Sequence, residues 1–319
     1  MKNFDEVKQK IYKKGKNYED VDQFEYFDPA PNKNRHGCLK YEYAGILDFV
    51  YEKRTDYLKK INQTSNYEEL IKVLFENIKW CLKVGIFSEI FMSKIPLETL
   101  NSFGIYYNQK NIDAKNNDIV VLSGECEITA KNKCQIYACD TSHIITENYC
   151  QVMICDNCDI GAFSNTQVIA FDECKITAMD NSQVIAFDKC IINARDQSQV
   201  TAFDSCKVKA EQSSCVRGFN EIIAKNSCQV VSYGYCCVKS YDLCQITACD
   251  FSLVEAYDSS QVQGGNDCKI KAFDSSFINI SKLEQVKEFK DNSIVKETST
   301  GIVHFGSNVI FKVHESKHD

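Results

Sequence analysis

From Cys126 to Ser276 the chain repeats an eight-residue alternation of polar and apolar positions, clearest in TQVIAFDECKITAMDNSQVIAFDKCIINARDQSQVTAFDSCKVKAEQSS, from Thr166 to Ser214. With the Ser, Cys or Thr that opens each copy counted as place zero, place two is always Val or Ile, from Ile128 through Val168, Val184, Val200, Val230 and Val254 to Ile278. Place four is Ala in most copies, as at Ala130, Ala170, Ala186, Ala202, Ala248 and Ala272, with Gly218, Ser232 and Gly264 among the small substitutes. Alternate residues of a strand share a face. A branched residue followed by a small one therefore predicts a narrow packed lumen between two close sheets. Bulky and charged residues fall mostly on the odd places and are expected to face outward. Asp or Asn at place six is expected to turn the chain by bonding forward to the backbone.

A second-order alternation sets the length of one coil. Place zero alternates through Cys158, Thr166, Cys174, Ser182, Cys190, Ser198, Cys206 and Ser214, and glutamine recurs every sixteen residues at Gln135, Gln151, Gln167, Gln183 and Gln199. Lys175, Ile191 and Lys207 occupy the intervening copies. Two strands per coil follow, each stacked on its counterpart about 4.8 Å away, and about ten coils would make a rod roughly 50 Å long. Between Ser214 and Cys228 the spacing falls to fourteen while the glutamine column resumes at Gln229, Gln245 and Gln261. That reads as one coil that has lost two residues at a corner.

Ahead of the repeat the period changes to that of helices. Tyr43, Ile46, Leu47, Val50, Tyr51 and Leu58 form one apolar stripe, and Leu70, Val73, Leu74, Ile78, Cys81 and Leu82 another. Asn66 is placed to cap the second helix and Gly85 to stop it. Pro96 opens a short helix, PLETLNSF, that Gly104 ends. After the repeat, KLEQVKEFKD predicts a short helix or loop closing the last coil, and GIVHFGSNVIFKVHE a pair of strands covering the open sheet edge. The expected fold is α+β: a small helical N-terminal domain (1–114), a two-sheet parallel β-solenoid (115–280) and a C-terminal β cap (281–319).

Composition narrows the function classes. With 37 basic and 44 acidic residues the chain is mildly acidic, which argues against a nucleic-acid partner. No apolar run reaches the roughly 18 residues of a membrane span, and the start, MKNFDEVKQKIYKKGKNYED, lacks the apolar core of a secretory signal. A cytoplasmic protein without a membrane partner is the expectation. The 18 cysteines then read as reduced thiols.

The two sides of the solenoid differ in chemistry. On the glutamine side the odd places read Gln167, Ile169, Phe171; Gln183, Ile185, Phe187; and Gln199, Thr201, Phe203, with Phe219 and Tyr233 extending the aromatic column. An exposed apolar stripe of this kind calls for a cover, whether a second copy, the N-terminal helices or a protein partner. The opposite side, with Lys175, Arg195, Lys207, Lys209, Lys269 and Lys271, reads as a solvated face. Cys158, Cys174, Cys190 and Cys206 invite comparison with a metal ladder or a disulfide staple, but cysteine shares its place with Ser and Thr and is read as core filler. Asp140, Asp156, Asp172, Asp188 and Asp204 stack like a cation ladder, yet the glycine-rich calcium repeat is missing and Asx turns are the reading preferred. His36 and Cys38 lack the spacing of a zinc site and are assigned to a loop, and His304 and His314 to the surface. No metal, cofactor or catalytic residue is expected.

The copies SQVIAFDKCIINARD and SQVTAFDSCKVKAEQ resemble the octapeptide and sixteen-residue repeats of bacterial ice-nucleation proteins, and resemble further the octapeptide solenoids carried by bacteria and their phages. The likeness covers about half of the chain. It implies a rod with a cap at each end and, in some members, side-by-side pairing through an aromatic ladder. Ice-binding solenoids present outward Thr-x-Thr rows, whereas the matching places here hold Gln183 and Ile185 or Lys207 and Lys209, with Thr177 and Thr201 isolated. The expectation is a non-enzymatic structural or binding rod that self-associates or docks a protein through the Gln/Ile/Phe face. A polysaccharide-acting solenoid enzyme and an ice- or surface-binding protein are the alternatives.

Overall fold

The computed structural model describes residues 4–19, 54–218, 221–265 and 267–307. Helices precede strands, and the strands alternate between two parallel sheets of a β-solenoid of about twelve turns. The expected ten coils fall short because strands begin at Ile105–Tyr107 and Ile112–Lys115 and continue through Val286–Phe289 and Ile294–Glu297. None of these segments carries the full consensus of small, branched and polar residues.

The described residues form two compact units. In the first, helices α1 (Phe4–Glu19), α2 (Arg54–Gln63), α3 (Tyr67–Glu76), α4 (Ile78–Lys83), α5 (Glu89–Met92) and α6 (Leu97–Ser102) accompany the opening coils. Asn66 caps α3 as expected, its side chain accepting from the Glu69 amide at 2.9 Å. The expected single helix from Leu70 to Leu82 breaks at Asn77, whose φ of −134° leaves the helical region. Gly85, at φ +72°, ends α4 by turning left-handed. Gly104 stops the chain after α6 in the same way, and there a Cβ would lie 2.8 Å from the Ile119 carbonyl oxygen. Helix α1 is not anticipated by the stripe analysis, since its buried face consists of little more than Val7 and Ile11. It packs through Gly15, where a Cβ would fall 2.8 Å from both Leu58 and Trp80. Of the other expected helix, residues 43–53 lie outside the described residues, as do His36, Cys38 and His314.

The second unit contains most of the octapeptide copies. Each strand occupies places one to four, so places zero, two and four point into the lumen, as in the buried triplet Thr166, Val168 and Ala170. Pairing is in register from coil to coil: Gln167 on Gln183 on Gln199, and Lys175 on Ile191 on Lys207. At the short coil Lys207 pairs with Glu221 and Cys215 with Gln229, a step of fourteen in both sheets. The two residues are therefore lost at the corner, outside the strands. Near the end, Val303–Phe305 pairs antiparallel with Ile294–Glu297, and the segment KLEQVKEF forms a 3-10 turn at Leu283–Gln285 followed by a strand.

Corners come in two kinds, and their sequences tell them apart. Where place five is Phe, Tyr or Cys and place six is Asp, a single residue turns left-handed, as at Asp172, Asp188 and Asp258. Where places six and seven carry pairs such as Asp180-Asn181 or Gln212-Ser213, both do. In the double corners backbone groups join successive coils, the Asn165 amide donating to the Asp180 carbonyl at 3.0 Å. In the single corners the carboxylate takes part: the Asp172 amide donates to the Asp188 carboxylate at 3.2 Å, and that of Asp188 to Asp204 at 3.4 Å. The aspartates thus also bond across coils, which the sequence reading does not anticipate. An amide donated to each stacked carboxylate offsets their mutual repulsion.

Candidate interaction face

The glutamine sheet is built differently in the two units. In the first unit its outward place-three residues Val121, Tyr137 and Met153 are buried, as are Cys139 and Cys155 at place five. Helix α4 packs against the strand Gln135–Ala138. The Cys139 thiol donates to the Phe87 carbonyl at 3.2 Å and the Cys155 thiol to that of Leu82 at 3.8 Å. Asp140 completes the seat, its carboxylate accepting from the amides of Glu89 at 2.9 Å and Gly124 at 2.8 Å. Cys139, Asp140 and Asp156 bring three ligand-type atoms within 4.8 Å of one another. Cys139 and Asp140 bond to the Phe87 carbonyl and the Glu89 amide and so clamp the helical segment to the coil. Burial pushes the Cys139 thiol up in pKa, second to the bond it makes with Cys155.

In the second unit the same places carry the candidate residues. Gln167, Gln183 and Gln199 are exposed, Ile169 and Ile185 are half-buried, and Thr201 is 8% exposed. Phe171, Phe187 and Phe203 are only 5–7% exposed, so the expected open aromatic stripe is corrected to a buried one. Place five is where the strand gives way to the corner, and there the strict in-and-out alternation stops. The rings stack face to face, 5.1 Å from Phe171 to Phe187 and 5.0 Å from Phe187 to Phe203, so both faces of Phe187 are covered. Tyr233 is half-buried, and Phe219 lies outside the described residues. What the face presents outward is a ladder of glutamine amides beside isoleucine, with the phenylalanine stack behind its edge. Ion pairs are concentrated on the other sheet.

On the lysine sheet, charges from the same coil or from neighbouring coils clamp two half-buried glutamates. Glu211 meets Lys209 at 2.8 Å and Arg195 at 3.1 Å, and Glu255 meets Lys271 at 3.0 Å and Lys239 at 3.6 Å. Hydrogen bonds from Lys209 and from Lys271 hold the two carboxyls below the usual glutamate range. Such a depressed folded-state pKa stabilises the fold above the unfolded value of about 4.3, and that stabilisation is lost as pH falls through the folded value. Denaturant midpoints measured from pH 7 down to 3 should therefore drop in the acid range. The Glu211→Gln/Glu255→Gln pair should lose about 1 kcal/mol per site at pH 7 and show a shallower acid decline. An acid decline identical to wild type would show that the clamps contribute nothing.

Among the described residues no helix is long and apolar enough to cross a membrane. No family model matches the chain, and no curated protein or solved structure matches it.

Proposed function

We propose that the chain is a non-enzymatic β-solenoid scaffold that associates, with a second copy or a protein partner, through the Gln/Ile/Phe face of its second unit. The observation that carries this reading is the use made of the same face in the first unit, where place-three and place-five residues seat the chain's own helices. A surface whose repeat accepts packed side chains in one set of coils has the geometry to accept them in another. Exposed Gln167, Gln183 and Gln199 supply a row of amide donors and acceptors one coil apart, and Ile169 and Ile185 an apolar strip beside them. The likeness to bacterial and phage octapeptide solenoids is compatible with a scaffold role.

A photo-crosslinking residue at Gln183, with one at Asn193 on the lysine sheet as control, tests the face directly. The expected result is a specific adduct from position 183, either with a second copy or with one protein, that is lost when Ile169→Lys and Ile185→Lys are introduced. Light scattering should follow the same loss if the partner is a second copy. A monomer at all concentrations with no adduct at position 183 would refute the proposal.

A further inference from the structure

The short coil leaves one corner of the second unit incomplete. After the strand Gln199–Ala202 the chain turns through residues 203–206, and after Gln229–Ser232 through residues 233–236. Between Cys215–Gly218 and Glu221–Ala224 only residues 219 and 220 intervene; they lie outside the described residues and form no part of the site. Places six and seven are missing from that coil. The three glutamine-sheet strands pair consecutively, so Asp204 and Ser205 on one side stand two strand repeats, about 9.6 Å, from Gly234 and Tyr235 on the other. The intact corners show what the missing pair would bond. A place-six amide donates to the place-six carboxylate of the next coil, as Asp188 does to Asp204, and a place-six carbonyl accepts from the next place-seven amide, as Asp188 does from Ser205 at 2.7 Å. Asp172 repeats both bonds, with Asp188 and with Lys189. At Asp204 the series stops: among the described residues its amide and carbonyl have no partner, and neither has the Tyr235 amide. Gly234 keeps the left-handed φ of the corner aspartates, +63°, and donates to Asp250 at 3.1 Å, but has no carboxylate to offer to the gap. Tyr235 is 79% exposed; Phe251 covers one face of its ring at 5.2 Å, and the opposite face is turned toward the gap.

We infer that this gap receives an Asp-aromatic pair, Asp-Phe or Asp-Tyr, from an exposed turn of a partner protein. The incoming aspartate takes place six and the aromatic residue place seven. The aspartate carboxylate accepts from the Asp204 amide, and its backbone carbonyl accepts from the Tyr235 amide. The amide of the aromatic residue donates to the Asp204 carbonyl, and its ring stacks on the open face of Tyr235 as Phe251 stacks on the other. Gly234 makes an acidic ligand acceptable. With glycine there, the incoming carboxylate has a like charge on the Asp204 side only, and the amide donated to it offsets that repulsion as in the intact corners. The site belongs to a corner, outside the Gln/Ile/Phe face, and stands independently of the association proposed for that face.

The test is an amide-resolved NMR titration of the isotope-labelled full chain with the capped peptide acetyl-Ala-Asp-Phe-Ala-amide. At up to about 10 mM peptide, which covers a millimolar Kd, the amide protons of Asp204 and Tyr235 should move downfield. Those of Asp172 and Asp188, already bonded within the protein, should stay in place. Peptides with alanine in place of the aspartate or of the phenylalanine should bind at least about fivefold more weakly. Tyr235→Ala should abolish the preference for phenylalanine and keep that for aspartate. Inserting Asp-Phe between Phe219 and Asn220 should fill the gap from within, so that the peptide shifts nothing and the melting temperature rises. Should that insertion fail to fold, the titrations of the unaltered chain and of Tyr235→Ala decide alone. No shift at Asp204 and Tyr235, or equal shifts with an all-alanine peptide, would overturn the proposal.

Discussion

Replacing Ala186 with leucine is expected to destabilise the solenoid by about 3 kcal/mol or more, at the upper end of what overpacking costs. Ala186 is fully buried and stacks in register between Ala170 and Ala202. The width available at place four can be read from the coils where it is glycine. A single methyl at Gly218 would come within 2.9 Å of the Ile222 side chain, and at Gly264 within 2.8 Å of Ile270 and Cys268. A lumen that refuses one carbon at those rungs has no room for the three that leucine adds to alanine. Every coil buries its place-four residue against its neighbours, so the strain is passed along the stack. Thermal and urea unfolding of Ala186→Leu beside Gln183→Leu, an exposed change in the same strand expected to stay within about 0.5 kcal/mol, separates lumen crowding from a general effect of added leucine. Equal stability of the two variants would mean that the lumen accommodates leucine at place four.

Phe187→Ala carries the second large effect. With 6% exposure and a ring stacked on both faces, its truncation should cost about 3–5 kcal/mol. Part of that, about 0.5–1.5 kcal/mol for each lost aromatic pair, exceeds simple burial. Tyr235, 79% exposed though stacked on Phe251 at 5.2 Å, is the comparison: its alanine variant should change stability by less than 1 kcal/mol. Calorimetric melting of the two variants decides the matter. If Phe187→Ala melts like wild type, the stack contributes no stability and its repetition along three coils has another cause.

How much of this was legible in the residues follows from where each rule applies. Strands, lumen and register were readable because places zero to four obey a strict period of two, and Val or Ile at place two cannot face water in twenty successive copies without cost. The lost pair of residues near Gly218 was readable for the same reason, as the glutamine column kept its side. The fate of Phe171, Phe187 and Phe203 was not readable, because place five belongs to a corner and alternation says nothing about corners. Helix α1 was hidden by its composition, since a helix held by a few apolar residues and a glycine contact has too weak a stripe to stand out.

The fourteen-residue coil has a consequence for how so repetitive a chain finds one pairing. A strand displaced by one whole coil still sets valine on valine and alanine on alanine, so local energies discriminate poorly against slippage. The step from Lys207 to Glu221 and from Cys215 to Gln229 breaks that degeneracy. A chain slipped by sixteen residues across this point would have two residues too many on one side and two too few on the other. The short coil therefore works as a notch in an otherwise uniform ruler, fixing the phase of the coils before and after it.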